Sequence, residues 1–268
     1  MIYAAPVRRL RTAWHATLDT VWPHQCAVTG APLERAAHGL AESARLTMSH
    51  SIDWPYCARC GATTGLHVVH DRKNPCPRCA DRNLGVSTII RCGTFDAPWS
   101  TLIMQMKFHG RWSHAQLLAP LLYQAITHAQ TQRALPIDLL VPVPLHWRRR
   151  LRRGFNQAEE LARAVAPLGG WGVTIALRRI RRTHQQSGLQ AITPRRENLK
   201  NAFICRNPIG LAGKNICLVD DVCTTGATLH AATQAFRQMP KESRPASVIA
   251  AVICVTDHNS VPELIVTG

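Results

Sequence analysis

Acidic residues are scarce: 16 Asp and Glu stand against 32 Lys and Arg in 268 residues, a formal charge of +16. That imbalance points to a polyanionic partner, with a basic protein that has no such partner as the plain alternative. Long apolar runs are also missing. No stretch approaches the ~18 residues that a membrane-spanning helix needs, so no membrane span is expected. Around residues 7–21, Arg8, Arg9, Arg11, His15 and Asp19 interrupt the apolar positions. Such a segment lacks the continuous apolar core of a signal peptide and predicts a short amphipathic helix within residues 1–24, with a cytoplasmic location. Internal repeats and low-complexity segments are absent too. What remains, 46% apolar and 18% charged residues, describes an ordered chain long enough for one large core and a small satellite module.

Cysteine is present in an arranged form. Cys57-Ala58-Arg59-Cys60-Gly61 and Cys76-Pro77-Arg78-Cys79 make two Cys-x2-Cys knuckles. Four thiolates at this spacing can close a tetrahedral zinc site, and the pattern predicts a zinc-ribbon module over residues 25–88 with structural Zn2+ on Cys57, Cys60, Cys76 and Cys79. Disulfides are the weaker explanation in a reducing compartment, and a folded metal-free vestige is the other alternative. Cys26 has Thr29 where a second ligand would stand, so it reads as a buried thiol rather than a ligand. His67 and His70, between the knuckles, read as surface histidines, with substitute metal ligation the alternative. Cys92, Cys205, Cys217, Cys223 and Cys254 lie in or beside apolar runs and read as small core residues. Residues 31–51 are polar, rich in small residues and poorly periodic, which reads as a loop with room for a short helix.

The stretch Ile216-Cys217-Leu218-Val219-Asp220-Asp221-Val222-Cys223-Thr224-Thr225-Gly226-Ala227-Thr228 organises the rest of the chain. An apolar run reads as a buried parallel strand over residues 214–219, with Asp220 and Asp221 at its carboxyl end. That end is where open α/β sheets bind ligands. Thr224, Thr225 and Thr228 offer hydroxyls, Gly226 permits close backbone approach, and a helix predicted from Ala227 to about Gln238 adds unpaired N–H groups. Carboxylates beside a phosphate cup are compatible if the ligand brings diol hydroxyls or a bridging Mg2+. A P-loop does not fit, because Gly210-Leu211-Ala212-Gly213-Lys214-Asn215 lacks the first spacing and the hydroxyl. The plain alternative is a strand-turn-helix connection with a Thr cap.

Strands are also expected over residues 89–95, 137–143, 172–177, 202–205 and 248–255, with helices over 98–107, 115–129 and from Asn156 to about Ala166. Alternation of this kind indicates an α/β fold with a mainly parallel sheet over residues 89–268. Val141-Pro142-Val143-Pro144-Leu145-His146 leads into five arginines at 148, 149, 150, 152 and 153, read as a basic loop before a helix amino terminus and thus a second anion site. A solvated basic turn is the bland alternative. A second basic cluster, with Arg178, Arg179, Arg181, Arg182, Arg195, Arg196 and Lys200 against Glu197 alone, also flanks strands of the expected sheet, so the two clusters could line one mouth. Within it, residues 183–200 read as a long polar loop carrying Arg195 and Arg196, a candidate cationic lid.

The segment Leu218–Thr228 resembles the signature of type I phosphoribosyltransferases, which bind phosphoribosyl pyrophosphate (PRPP). The resemblance implies that Asp220 and Asp221 hold the ribose hydroxyls and that Thr224, Thr225, Gly226 and Thr228 wrap the 5′-phosphate. Val141–His146, Arg149 and Arg153-Gly154-Phe155-Asn156-Gln157 resemble a block of the competence-protein ComF family. Thr183, Gln186, Leu189, Arg195, Asn198, Leu199, Ala202 and Phe203 resemble its next block. By that resemblance His146, Arg149 and Arg153 join the PRPP site as pyrophosphate-binding residues. Arg195 acts with Asp220 and Asp221 in any transfer step, and PRPP enters with Mg2+. Trp147 stands where that family often has Pro, and the cysteine pairs before Cys57 are incomplete.

The family implies a PRPP-binding competence factor that handles incoming single-stranded DNA during natural transformation, with competence or DNA-processing proteins as partners. An active nucleobase-salvage phosphoribosyltransferase with an unknown acceptor is the alternative, and a PRPP sensor built on a zinc-ribbon scaffold is a third. Trp99, Phe108, Trp112, Trp147 and Phe155 are the aromatic residues that could stack bases, with Trp147 foremost because it sits among arginines.

Overall fold

The computed structural model describes residues 25–33, 39–65, 74, 76–79, 83–180 and 201–256. The expected amino-terminal helix, His67, His70 and the lid with Arg195 lie outside these residues. The chain divides into two compact units, Met1–Thr47 and Met48–Gly268. Both cysteine knuckles belong to the second unit.

In the first unit, Cys26 carries a knuckle turn of its own. The Cys26 N–H donates to the Ala31 carbonyl at 2.8 Å, and the Gly30 N–H returns to the Cys26 carbonyl at 2.8 Å, with Gly30 in the left-handed region. The sulfur is buried and accepts hydrogen bonds from the Thr29 and Ala41 N–H groups. Burial would raise this thiol, but hydrogen bonds from the Thr29 side chain and from nearby backbone amides outweigh it and bring it to about 7.

Helix α1 spans Glu42–Ile52. In the second unit, β1 (Ile89–Thr94), β2 (Leu139–Pro142), β3 (Gly172–Val173), β6 (Asn215–Cys223) and β7 (Ser247–Val255) form one sheet in the order β1-β7-β6-β2-β3. Every pairing in it is parallel. Helices α2 (Trp99–Phe108), α3 (His114–Arg133), α5 (Gln157–Gly169) and α6 (Ala227–Arg237) connect the strands. The central strands are sealed on both faces: Ile216 to Val219 and Ala250 to Cys254 expose nothing to solvent. Continuous apolar runs are what a doubly covered parallel sheet requires.

The connection after β2 leads outward to β3, whereas the connection after β6 leads the other way to β7. Their shared boundary is therefore a topological switch point, where helix-covered sheets open a crevice at the strand carboxyl ends. A separate antiparallel pair, β4 (Leu177–Arg179) with β5 (Phe203–Cys205), stands beside this sheet.

Three sequence expectations change. The strand expected over residues 172–177 is two elements: Gly172 and Val173 pair with β2, and the chain then leaves the sheet before Leu177. The basic stretch after Pro144 is helix α4, Trp147–Arg153, and not a loop. His146 caps it in an extended conformation, its ring nitrogen accepting from the Arg148 N–H at 3.4 Å, and Gly154 closes it at φ +81°. Finally, Asp220 and Asp221 lie within β6, which keeps pairing with β7 as far as Cys223↔Val255.

Candidate functional site

Pairing of β2 with β6 stops at Pro142↔Val219, followed by one further hydrogen bond from the Val143 N–H to the Val219 carbonyl at 2.9 Å. Pro144 has no N–H to continue the ladder, so β2 peels away while β6 runs on against β7. Asp220 and Asp221 occupy the gap this opens. They border a cavity of about 380 Å3 lined by residues from the ends of β2 and β6, the cup after β6, α2, α4, α5 and β4. A larger cavity of about 580 Å3 lies at the amino end of β7, with Arg59, Arg237 and Arg244 but no carboxylate. Strand-end geometry and the acidic pair favour the smaller one as the site.

Among the described residues the cavity carries four cations, Lys107, Arg149, Arg153 and Arg179, against the two carboxylates. Lys107 Nζ lies 3.0 Å from Asp221 Oδ2, and both side chains are largely buried. Asp220 Oδ1 accepts from the Asp221 N–H at 2.9 Å. Burial first, then the neighbouring Asp221 charge, push the Asp220 carboxyl up to about 7, against the pull of that N–H, Lys107 and Arg179.

Since the folded value lies above the unfolded one, Asp220 contributes stability below about pH 4 that is lost as pH rises through about 7. Asp220→Asn is therefore expected to flatten the decline across that window and to raise stability at about pH 8 by roughly 1–3 kcal/mol. Urea unfolding at about pH 5 and about pH 8 checks this. An unchanged pH slope would contradict a strained Asp220 carboxyl.

The cup closes the other wall. Gly226 adopts φ +73° and caps α6, a left-handed conformation that favours glycine, and a Cβ there would also have to displace the Leu84 side chain. Thr225 Oγ1 accepts from the Ala227 N–H at 3.4 Å. Thr224 and Thr228 line the cavity; Thr225 and Gly226 shape the turn between them.

Opposite, Arg149 and Arg153 of α4 reach the cavity, whereas His146 is buried in its capping role. Arg153 Nη1 donates to Gln157 Oε1 at 3.2 Å, and its guanidinium lies 5.6 Å from the Phe108 ring centre. Arg153 Nε and Gln157 Nε2 are buried and find no hydrogen-bond partner among the described residues. Buried donors without acceptors at a cavity wall suit an anionic or hydroxylated ligand.

Of the residues singled out from sequence, Asp220, Asp221, Thr224, Thr228, Arg149 and Arg153 converge on one cavity. Arg195 lies outside the described residues. Sequence reasoning gave Lys107 and Gln157 no role in the site; Arg179 belongs to the second basic cluster, which it set beside the Arg148–Arg153 cluster at one mouth, and the cavity holds Arg149, Arg153 and Arg179 together. Lys107 terminates an apolar helix and carries no local mark of its partner. Arg179 arrives through the β4–β5 pair, whereas Gln157 stood in a noted motif without an assigned role.

The metal-ligand candidates also converge. Cys57, Cys60, Cys76 and Cys79 are all buried, with their sulfurs within 4.8 Å of one another. Individual separations are 3.8, 3.5 and 3.6 Å. Tetrahedral zinc with Zn–S bonds of about 2.3 Å needs sulfurs about 3.8 Å apart. All ten cysteines are free, so no disulfide competes. Gly61 at φ +75° lets its N–H reach the Cys57 carbonyl at 2.7 Å, closing the first knuckle. Four close cysteines of this geometry can bind a metal such as zinc.

Among the described residues no helix is long and apolar enough to cross a membrane. Trp147 is exposed, with the Arg148 guanidinium 5.1 Å from its ring centre. Phe108 and Trp112 are exposed as well. Trp99, in contrast, is buried and donates its ring N–H to Ser51 Oγ at 3.0 Å, which removes it from the stacking candidates.

Comparison with known proteins places these features. A phosphoribosyl transferase domain model matches residues 151–265. Competence protein F of Haemophilus influenzae is 32% identical over 197 residues, covering 70% of this chain and 81% of that protein. DNA utilization protein YhgH of Escherichia coli K12 is 35% identical over 191 residues, 66% of this chain and 81% of the relative. Its Salmonella typhi counterpart is 37% identical over 175 residues, 65% and 74% respectively. A glutamine PRPP amidotransferase from B. subtilis superposes with a TM-score of 0.30 at 15% identity, over 53% of this chain and 26% of that one, too slight a likeness to argue from. With a mainly parallel phosphoribosyltransferase-like sheet, a four-cysteine cluster and relatives matched over most of their length, the chain belongs to the competence-protein ComF family.

Proposed function

We propose that this protein is a PRPP-binding competence factor that acts on incoming single-stranded DNA in the cytoplasm, alongside other DNA-processing proteins. The observation that carries the reading is the convergence of Asp220, Asp221, the Thr224–Thr228 cup and the arginines of α4 on one cavity at the switch point. Asp220 and Asp221 accept from the ribose hydroxyls, the cup and the amino end of α6 take the 5′-phosphate, and Arg149 and Arg153 face the pyrophosphate. Mg2+, when bound with PRPP, neutralises charge between the diphosphate and the acidic pair. Lys107 then has to share or yield Asp221. The relatives named for competence and for DNA utilization support the DNA-handling half of the reading.

Exposed Trp147, with Arg148 over its ring, supplies a base-stacking platform beside the α4 arginines. Single-strand affinity is expected to fall steeply with salt, with a log-log slope of about −0.7 per phosphate neutralised. Trp147→Ala is expected to cost roughly 1–3 kcal/mol with little change in that slope. Fluorescence anisotropy with a labelled oligonucleotide measures both. A salt-independent affinity would contradict the electrostatic part of the proposal.

A second reading, an active phosphoribosyltransferase, is favoured by one observation: a buried carboxyl held near neutrality next to a second carboxylate, as proton-transfer groups require. Incubation with PRPP, Mg2+ and a panel of bases tests it. Pyrophosphate release with one base supports turnover, and none with any base speaks against it.

A further inference from the structure

Arg78 stands between two of the four clustered cysteines, Cys76 and Cys79, and points away from them toward the α/β sheet. Its Nη2 donates to the Thr256 carbonyl at 2.5 Å and lies 3.5 Å from the Thr224 carbonyl. Both of those residues line the cavity at the end of β6. Thr256 in turn donates its N–H to the Cys223 carbonyl at 3.1 Å, which ties the exit of β7 to the entrance of the cup. One guanidinium thus joins the two chain segments that flank the cup.

The surrounding packing runs the same way. Leu84, just after the second knuckle, packs a terminal methyl against Gly226, where a Cβ would force that methyl to move. Gly61, in the first knuckle, is packed in the same way against Val255 at the end of β7. The four cysteines share a buried cluster with Leu84, Cys223, Ala227 and Val255. The cup is therefore braced from the cysteine module by two apolar contacts and one charged donor. A planar, multiply donating guanidinium can hold two carbonyls together, a task for which lysine is poorly shaped.

We propose that Arg78 is a positioning residue: held by the metal-binding knuckle, it fixes the Thr224–Thr228 cup in its phosphate-receiving shape. Metal occupancy thereby sets affinity for a sugar phosphate. Arg78 is not among the residues that line the cavity, and it acts on the cup through the backbone at Thr224 and Thr256. The inference rests on the sugar-phosphate reading of the cup for its ligand, but its structural half stands independently of any ligand.

The test uses the full chain and two readouts. Arg78→Met keeps the aliphatic stem and removes the donors. Amide hydrogen exchange at Thr225 to Thr228 is expected to quicken about tenfold in this variant, with zinc content unchanged, since a charge-assisted hydrogen bond has been lost. Affinity for ribose 5-phosphate is expected to fall about tenfold, with partial recovery in Arg78→Lys. Cup exchange and affinity both equal to wild type would overturn the proposal. Should the wild type not bind ribose 5-phosphate at all, the ligand reading fails and the exchange readout alone decides Arg78. If Arg78→Met does not fold or load metal, stepwise chelation of the wild type decides. The cup amides must lose protection as zinc leaves, and protection retained without zinc would overturn the coupling.

Discussion

Cys76→Ser is expected to abolish stoichiometric zinc binding and to lower the melting temperature by about 10 °C or more. The four sulfurs already stand at separations that tetrahedral zinc demands, so metal enters with little rearrangement. Removing one ligand leaves three clustered thiols buried without the charge that justifies their approach. In zinc-organised modules, metal binding supplies about 10–16 kcal/mol, most of which is folding free energy. The knuckles also share their apolar cluster with Ala227, Leu229 and Val255, so damage there spreads to the sheet and α6. Metal analysis with thermal denaturation checks the prediction. A variant that melts with the wild type, and a wild type that retains no zinc, would contradict a structural metal.

The second large effect belongs to the acidic pair. Asp220→Ala combined with Asp221→Ala is expected to weaken PRPP binding by at least about 100-fold, since hydrogen bonds to charged acceptors contribute about 1.5–3 kcal/mol each. The stability gain above neutral pH belongs to the Asp220 substitution alone, because that carboxyl is held at about 7 by burial and by its neighbour, whereas removing Asp221 leaves Lys107 without its ion-pair partner. Loss of binding with gain of stability in Asp220→Ala is the signature of a functional site under strain. Loss of both in that single variant would instead mark Asp220 as structural. Lys107 bears on one further part of the outcome: freed of Asp221, its ammonium lies nearer any phosphate, so single-strand binding should not fall in parallel.

Much of this arrangement was legible because the signals were local. The apolar run into Asp220 identified β6, and Gly226 with its threonines identified the turn, since both depend on neighbouring residues alone. The strand proved longer than its apolar run because β7 offers partners as far as Val255, a fact of pairing rather than composition. Helix α4 was hidden by its own charge. Five arginines in seven residues read as a solvated loop, yet His146 and Gly154 cap both ends. The charge is also spread: Arg150 reaches Glu159 at 3.5 Å, and Arg148 lies over Trp147. Helix α1 is the short helix allowed for in residues 31–51, although weak periodicity gave neither its place nor its length.

Long-range contributions left little trace in the sequence. Arg179 could be placed only as a member of a strand-flanking basic cluster, and Lys107 enters the site from a helix far removed from β6 in the chain, with nothing nearby to name its destination. Arg78 is the sharpest case. Inside a knuckle it reads as one more surface arginine, and only the folded chain brings it to the carbonyls of Thr224 and Thr256.

The central claim, a PRPP pocket at the carboxyl end of β6, is tested most directly by calorimetric titration of the wild-type protein with PRPP and Mg2+. The account predicts saturable binding at one site per chain, competed by ribose 5-phosphate. No heat at any concentration, or heat unchanged when Asp220 and Asp221 are both replaced by alanine, would contradict it.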